Sequence, residues 1–548
     1  MITAKSNPAV AWLAAITVAL LAGCSNSNDD EVVGGPAGDP AIISGTITYD
    51  SVTHSQQGNL DYNSIVSKPV RGATVQLVDN GGSVLDVTQS DDNGNYQLDT
   101  NVNLAVRVRV LAEANQTGSP AWDISVVDNT NSGALYSMQG AVAVVAATAE
   151  TRDLHASSGW GGSSYSGTRV SAPFAILDNA YTAAQLVVAV DNTVQLPPLT
   201  LNWSRNNVPT PGDVSVGQIT TSYYSNGNIY ILGAENVDTD EFDAHVVVHE
   251  WGHYFEDRLA RADSIGGSHS GGQRLDPRVA FGEGWGNAWS AMALDDPLYR
   301  DSLGNQQGSG FAIDIEANAQ TNAGWYNEGS VQSILYDLFD ANDDGNDNLT
   351  MGFAPIYQVL TGEQSNTEAF TTLFSFIYYL RQENVADQAA IDAIVSGQNT
   401  VSSSIDIYGS SETNNAGNAT TVLPIYTAMV PGATPQLCSN NSFAVSGDEY
   451  NKLGARRYIA LTISQAGAYN FSMVSTNNSG DPDLYVYRRG VRLNCDGTSD
   501  GCSSGVGSES FSLSLAAGEY VIDAHDYLNV DSEAGGGLNC FNISVTPL

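Results

Sequence analysis

His249-Glu250-Trp251-Gly252-His253 is the stretch on which the predicted fold and chemistry of this chain depend. In a helix of 3.6 residues per turn, positions i and i+4 share a face, so His249 and His253 would direct both imidazoles at one point. Glu250 would then lie beside that point. Two imidazoles with a neighbouring carboxylate are typical of a catalytic zinc ion, which lowers the pKa of its bound water to about 7.

A second segment, Phe281-Gly282-Glu283-Gly284-Trp285, follows further along the chain. Its pattern predicts another helix over residues 280–292, late enough for the chain to return Glu283 to the two imidazoles. Two histidines and one glutamate leave a coordination position for water, as in catalytic rather than structural zinc sites. The alternative is a buried amphipathic helix whose histidines are capped by backbone carbonyls.

The two segments HEWGHYFEDR and GEGWGNAWSA resemble the gluzincin metallopeptidases, and within them the fungalysin branch, whose second motif reads GEGWSD. The resemblance implies an α+β, thermolysin-like core, which we assign to residues 171–400. It also implies that His249, His253 and Glu283 hold the zinc ion and that Glu250 is the general base.

One departure from the family's pattern occurs at Asn287, where the family has an aspartate that is hydrogen-bonded to a ligand histidine. Asparagine still accepts a hydrogen bond through its oxygen but adds no charge, so the support of that histidine would be weaker. The departure therefore bears on the metal affinity and not on the ligand set.

The length and charge of the chain indicate an acidic multidomain protein. Its 548 residues exceed what one core holds, and roughly three or four domains are expected. The formal net charge of −40 argues against nucleic acid or an anionic membrane surface as a partner, because both would repel it. Adaptation of an exported surface is favoured over calcium binding as the reason for this charge.

Residues 1–24 are typical of an export signal, because their apolar run is too short for a comfortable membrane span. The run ends in Leu21-Ala22-Gly23-Cys24, which resembles the bacterial lipobox. That resemblance implies lipidation of Cys24 and attachment to the cell envelope, and Ser25 after the cysteine favours the outer membrane. An ordinary secretory signal is the alternative. Residues 25–40 are predicted to be a flexible tether.

Four further cysteines lie in the last quarter of the chain, and in an exported protein they predict two disulfides. Three connectivities are open. We favour Cys495 with Cys502, across a short Gly/Ser turn, and Cys438 with Cys540, across the ends of a domain. A structural zinc ion held by all four thiolates is the alternative.

β-Rich modules are predicted on both sides of the core. Residues 41–112 alternate in short strands and resemble the carboxypeptidase regulatory-like (prealbumin-like) β-sandwich, and residues 113–170 are a β-rich connection. After a linker at residues 401–436, residues 437–548 resemble the bacterial pre-peptidase C-terminal domain, with the phrase Gly480-Asp481-Pro482-Asp483-Leu484. That resemblance implies a non-catalytic antiparallel β-sandwich that assists secretion or substrate attachment and is removable in maturation.

Two stretches that precede His249 in the chain are expected to contribute to the site, one by binding the substrate and one by stabilising the start of the motif-bearing helix. The run at residues 228–233 is predicted to be a strand whose exposed edge could pair with an extended peptide, as in thermolysin-like folds. Asp238-Thr239-Asp240-Glu241 would place acidic groups at the positive end of the zinc helix. The expected substrate is therefore a protein or peptide.

Three other side chains near the core have less specific signals. His269 is expected to be a solvated loop residue rather than a substrate contact. His245 is expected to support the site rather than bind the metal, since four fixed ligands would close it. Gluzincins place a hydroxyl or imidazole donor where the oxyanion forms. Because no histidine follows His269 inside the core, Tyr326 is the predicted donor.

A second metal site is predicted after the core's next helix, where residues 340–346 match the pattern D-x-[DN]-x-[DN]-G of a calcium loop. Position twelve is Met351 instead of glutamate, so another residue must complete the loop, such as Asp347 or Asn348. A solvated turn between helices is the alternative. The predicted calcium ligands are Asp340, Asn342, Asp344 and Asn346.

The sequence thus predicts an exported, lipid-anchored zinc endopeptidase with Ca²⁺ as a second cofactor. The alternative from a different class is a surface-binding or adhesive protein that retains the metallopeptidase fold with little turnover. A zinc hydrolase that acts on a non-peptide amide is a further alternative.

Overall fold

The computed structural model describes residues 38–341, 348–445, 449–477, 480–493, 506–531 and 536–548. Several predicted features lie outside the described residues. They are the export signal with its lipidation site, one cysteine pair and most of the calcium loop: Cys24, Cys495, Cys502, Asn342, Asp344 and Asn346. The described chain is mostly β-strands, with a group of helices between two β-rich parts.

The first part of the chain consists of strands whose side chains alternate between buried and more exposed positions, as in the strand Ala105–Gln116. They are β1 (Pro40–His54), β2 (Leu60–Pro69), β3 (Ala73–Asp79), β4 (Val84–Gln89), β5 (Asn95–Asn101), β6 (Ala105–Gln116), β7 (Trp122–Asp128), β8 (Ala134–Leu135), β9 (Ser137–Gln139), β10 (Ala143–Val144), β11 (Ala149–Thr151) and β12 (Leu154–Ala156).

The middle part holds the helices. Its elements are α1 (Ala172–Val190), β13 (Leu199–Trp203), β14 (Tyr223–Ser225), β15 (Asn228–Ile231), β16 (Gly233–Ala234), β17 (Asp238–Thr239), α2 (Ala244–Leu259), α3 (Pro277–Leu294), β18 (Leu298–Leu303), β19 (Ser309–Asp314), α4 (Glu328–Phe339), α5 (Phe353–Thr361), α6 (Leu373–Glu383), α7 (Gln388–Gly397) and α8 (Ala419–Val422).

The last part is again built of strands, and a disulfide joins Cys438 to Cys540 on the paired strands Gln436–Ser439 and Asn539–Pro547. The strands are β20 (Tyr426–Met429), β21 (Gln436–Ser439), β22 (Arg456–Ile463), β23 (Gly467–Ser475), β24 (Pro482–Arg488), β25 (Val491–Arg492), β26 (Ser508–Leu515), β27 (Gly518–Asp526) and β28 (Asn539–Pro547).

One sheet connects the first two parts. It has the order β14-β15-β13-β7-β6-β3-β4, and β13 runs parallel to both β7 and β15. The boundary predicted at residue 112 therefore falls inside β6 and not between two sheets. The strand predicted to have an exposed edge, β15, is covered on both sides, and β14 is the terminal strand instead.

Helix α1 packs between this sheet and the motif-bearing helices, and its residues share one apolar core with both. By length and composition alone it is the one helix in the described chain that could cross a membrane, and most of it is buried inside the fold.

The C-terminal strands form two sheets, β20-β22-β27-β24-β25 and β21-β28-β23-β26, with an apolar core between them. Contact with the helices is made by apolar residues of β20, β22 and β27 and by a buried ion cluster at the start of α3. The Arg278 guanidinium lies 3.0 Å from Asp276 and 3.1 Å from Asp523 of β27, and Arg456 of β22 lies 3.2 Å from Asp523. The last part is thus joined to α3 by buried charges.

Candidate metal centre

Helices α2 and α3 pack closely at their glycines. A Cβ atom on Gly252 would lie 3.1 Å from the Cα atom of Gly286, and one on Gly286 would lie 2.7 Å from Cε1 of His249. The Trp285 indole donates a hydrogen bond to the Gly252 carbonyl at 2.9 Å. Small residues at these positions therefore let the second helix approach the histidine-bearing face of the first.

This packing brings the three predicted zinc ligands together. The Nε2 atoms of His249 and His253 lie 3.1 Å apart, and each lies 3.4 Å from Oε2 of Glu283. One nitrogen or oxygen atom from each residue falls within 4.8 Å of the others. Two imidazoles and one carboxylate at this spacing are a donor set that suits a zinc ion.

Glu250 is buried beside the two histidines, and burial raises the pKa of its carboxyl, which the histidine charges partly offset. The backbone N–H of Tyr224, on the terminal strand β14, also lowers the pKa of this carboxyl. Burial would raise the pKa of Glu283 as well, but the charges of His253 and His269 hold it well below its usual range. The two carboxyls therefore differ in their readiness to accept a proton.

His269 contacts the same centre, in contrast to the expectation of a solvated loop residue. Its Nε2 atom lies 3.0 Å from Oε2 of Glu283, and its Nδ1 atom lies 2.6 Å from Oε2 of Glu328, the first residue of α4. The loop is held by the C-terminal part: the Asn451 amide donates to the Ser268 carbonyl at 3.1 Å, and the Lys452 ammonium donates to it at 2.8 Å.

The sequence contains one weak signal for this role: a histidine between the two motifs in a Gly/Ser-rich segment. Its partners could not be read from the sequence, because Asn451 and Lys452 lie more than 180 residues further along the chain.

Asn287 supports one of the two histidines. Its side-chain oxygen lies 2.9 Å from Nδ1 of His249, and its amide donates to Gln332 at 2.9 Å. The contact with Gln332 leaves the oxygen of Asn287 to face the imidazole. The other histidine has an acidic neighbour, since Nδ1 of His253 lies 3.7 Å from the buried Glu256.

His245 stands apart from the candidate ligands. Its Nδ1 atom lies 3.0 Å from the Ser290 hydroxyl, and its Nε2 atom lies 3.9 Å from Asp296. Burial lowers the pKa of this imidazole. These contacts agree with the expected supporting role.

The tyrosine beside the histidines is Tyr299 of β18, which the sequence reasoning missed. Its ring packs nearly perpendicular to that of His249, with centroids 6.2 Å apart. Tyr326, the predicted oxyanion donor, instead donates its hydroxyl hydrogen bond to Asn414 at 3.1 Å and packs edge-on against Trp325. The prediction of Tyr326 rested on the absence of a histidine after His269 and did not consider His269 itself, whose ring lies at Glu283.

The predicted calcium loop is described only at its start. Asp340 is buried directly after α4, and α5 begins at Phe353, so the loop does connect two helices. With three of its four predicted ligands outside the described residues, the calcium loop stays a prediction.

A comparison with family models matches residues 189–396 to the Mycolysin C-terminal domain. The matched segment contains both motifs and the histidine-bearing loop between them. The match relates this part of the chain to a peptidase family. The search of curated proteins found no match.

Two solved structures show some similarity to about a quarter of the chain. The pre-peptidase C-terminal domain of a collagenase from Bacillus anthracis is 10% identical, covers 22% of this chain and 94% of its own, and has a TM-score of 0.15. The surface-associated copper-binding protein CorA from Methylomicrobium album BG8 is 8% identical, with 23% and 99% coverage and a TM-score of 0.17. Scores of this size add nothing to the description of the fold.

Proposed function

We propose that this chain is an exported zinc-dependent endopeptidase of the gluzincin type with a thermolysin-like core. The observation that carries the proposal is the convergence of His249, His253 and Glu283, with Glu250 buried beside them. The match of this segment to a peptidase-family domain supports it independently. A zinc ion held by these three residues would acidify a water molecule and polarise the scissile carbonyl.

The proton transfers are assigned to Glu250. As general base it takes the proton of the attacking water, and as general acid it then passes that proton to the leaving amine. Its buried position raises the pKa of its carboxyl, which makes the carboxylate a better proton acceptor. Asn287 and Glu256 face the outer nitrogens of the two histidines and orient their rings toward the centre.

The substrate is proposed to be an extended peptide that pairs with β14. This strand ends the ten-stranded sheet, and among the described strands it pairs only with β15. An unpaired strand edge offers backbone groups to a peptide in extended conformation. The backbone N–H of Tyr224 on this strand lowers the pKa of Glu250, so β14 lies beside that carboxyl. A peptide paired with β14 would therefore run alongside the general base.

Glu250→Gln is the decisive variant, because it removes the base and keeps the size of the side chain. The variant should bind about as much zinc as the natural protein and lose hydrolysis of an unfolded protein substrate. A chelator should abolish hydrolysis by the natural protein, and added zinc should restore it. A zinc-loaded natural protein without turnover on proteins or peptides would refute the proposal and favour the adhesive alternative, whereas turnover on a non-peptide amide would favour the other hydrolase.

We also propose that the protein is anchored to the bacterial envelope through a lipid on Cys24, as the sequence of the export signal suggests. Mass spectrometry of the mature protein should find Cys24 as a lipidated first residue. Release of the protein into the medium by Cys24→Ala would support the anchor, and an unchanged cellular location would contradict it.

A further inference from the structure

Three aspartates meet at a place separate from the candidate zinc ligands. Asp238 and Asp240 lie at and just after β17, before α2 begins, and Asp301 lies on β18. One carboxylate oxygen from each falls within 4.8 Å of the others. Asp240 is 3% exposed, while Asp238 and Asp301 are partly exposed, so the group is buried on one side and accessible on the other.

The group contains a buried oxygen atom that has no donor. The Oδ1 atom of Asp240 is shielded from solvent and makes no hydrogen bond, while its other oxygen accepts from the Ser222 hydroxyl. The Oδ1 atom of Asp238 is also shielded from solvent and makes no hydrogen bond. A buried carboxylate oxygen without a donor is costly, and a cation is the partner that would satisfy two of them together.

The surrounding charges increase this cost. After burial, the groups that raise the pKa of Asp301 to about 8 are the carboxylates of Asp243 and Asp238. Two nearby basic side chains already have acidic partners: His54 lies 2.6 Å from Asp243, and Arg169 lies 2.7 Å from Glu241. The three aspartates therefore face one another and further acids, and neither of these two side chains pairs with them.

We propose that Asp238, Asp240 and Asp301 form a second metal site, which binds Ca²⁺. The donors are all carboxylate oxygens, which suit a hard cation and suit zinc less well. The partly open side would leave room for the water or carbonyl oxygens that calcium needs to reach about six to eight ligands. The aspartates of the stretch before the zinc helix would thus hold a metal and not cap the helix.

The proposed site adjoins the candidate zinc centre through Tyr299. This residue and Asp301 are two positions apart on β18, so their side chains project to the same face of the strand. The carboxylates of Asp301 and Glu250 both raise the pKa of the Tyr299 hydroxyl, after burial, so the ring lies near both groups. A cation bound by Asp301 would fix the strand whose tyrosine packs against His249.

The test compares calcium binding by the zinc-loaded natural protein with that of Asp240→Asn and Asp301→Asn. The number of calcium ions bound at saturation, measured by calorimetry with CaCl₂, should fall by one in both variants. Asp314→Asn, in the exposed last position of the neighbouring strand β19, is the control and should bind as the natural protein does. Counting ions separates this site from the predicted calcium loop at Asp340.

A second measurement covers the case in which a variant binds no calcium because it is misfolded. Removing one of three repelling carboxylates should leave the calcium-free protein as stable as before or more stable, while the rise in melting temperature caused by calcium becomes smaller. Equal calcium stoichiometry in the natural protein and both variants would overturn the proposal. A variant that is less stable without calcium and keeps the full response to calcium would also overturn it.

Discussion

The Nε2 atom of His269 lies 3.0 Å from Oε2 of Glu283, and the other nitrogen of the same ring lies 2.6 Å from Glu328. One imidazole therefore links the carboxylate that would bind the metal to a second, buried carboxylate at the start of α4. The ring is held from both sides, and its position depends on Glu283 and Glu328 together.

His269→Ala should lower kcat/KM by about 10- to 100-fold, the usual cost of losing a partner of a metal ligand. The physical reason is that Glu283 loses the contact that orients its carboxylate. Peptide hydrolysis and zinc content are measured on the same sample. His155→Ala, at a more exposed histidine that pairs with Asp50, is the control and should change neither. Unchanged hydrolysis in His269→Ala would show that the ring is dispensable.

Asn287→Asp should tighten zinc binding, because a carboxylate facing Nδ1 of His249 makes that imidazole a stronger ligand. The gain should stay below about tenfold, since the substitution also removes the amide that donates to Gln332. Competition with a chelator measures the affinity. Asn287→Ala is the opposing variant and should weaken binding; equal affinities in all three proteins would contradict the supporting role.

Gly286→Ala should displace the ring of His249 and lower both zinc content and hydrolysis. The added methyl group would lie 2.7 Å from Cε1 of the imidazole, and such overpacking costs about 1–3 kcal/mol of stability. Gly271→Ala is a matched control, because a Cβ atom there meets nothing within 4 Å. Thermal unfolding and metal analysis should separate the two variants, and full zinc loading of Gly286→Ala would show that the helices can move apart.

Arg278→Ala should destabilise the protein by about 3–5 kcal/mol, because it leaves Asp276 as a buried charge without its counter-charge and leaves Asp523 with Arg456 alone. Chemical denaturation measures the loss. The control is Arg489→Ala, which removes an exposed ion pair with Glu368 between the same two parts of the chain. That pair should contribute less than about 1 kcal/mol. Similar losses in both variants would argue against a special role of the buried cluster.

Acid should weaken the same cluster. Burial alone would raise the pKa of Asp523, but Arg456 and Arg278 hold it well below its usual range. Below its unfolded pKa of about 4, the unfolded chain binds the proton and the folded protein does not, so stability falls as the pH decreases further. Denaturation curves measured from about pH 6 to about pH 3, a range that spans the unfolded pKa of aspartate, should show this loss of stability for the natural protein. Asp523→Asn should show a smaller one, and equal slopes would contradict the assignment.

Local periodicity made part of the candidate centre predictable. His249, Glu250 and His253 lie within about one turn of a single helix, so helix geometry alone brings them together. A second helical pattern suggested Glu283, which reaches them only because α3 packs against α2. The position of Asn287 beside His249 was expected from the resemblance to the gluzincins, whose aspartate stands at this place.

The remaining contacts depend on long-range pairing, which the sequence does not encode locally. Nothing near Tyr299 indicates that its strand passes the histidines. From the sequence, His269 is predicted to be a solvated loop residue. Its position at the centre depends on Asn451 and Lys452, which bind the neighbouring Ser268 carbonyl. The boundary expected at residue 112 failed for the same reason, because β6 pairs with strands on both sides of it in the chain.

The contacts of Asn451 and Lys452 have a consequence for biosynthesis. During synthesis and export the two helices with the candidate metal ligands emerge well before these residues, which lie 183 and 184 positions after Ser268. A nascent chain can therefore possess the metal-binding motif before the loop with His269 is anchored. A peptidase built in this way would therefore reach full activity only after the segment with Asn451 and Lys452 has been synthesised and has docked on the loop.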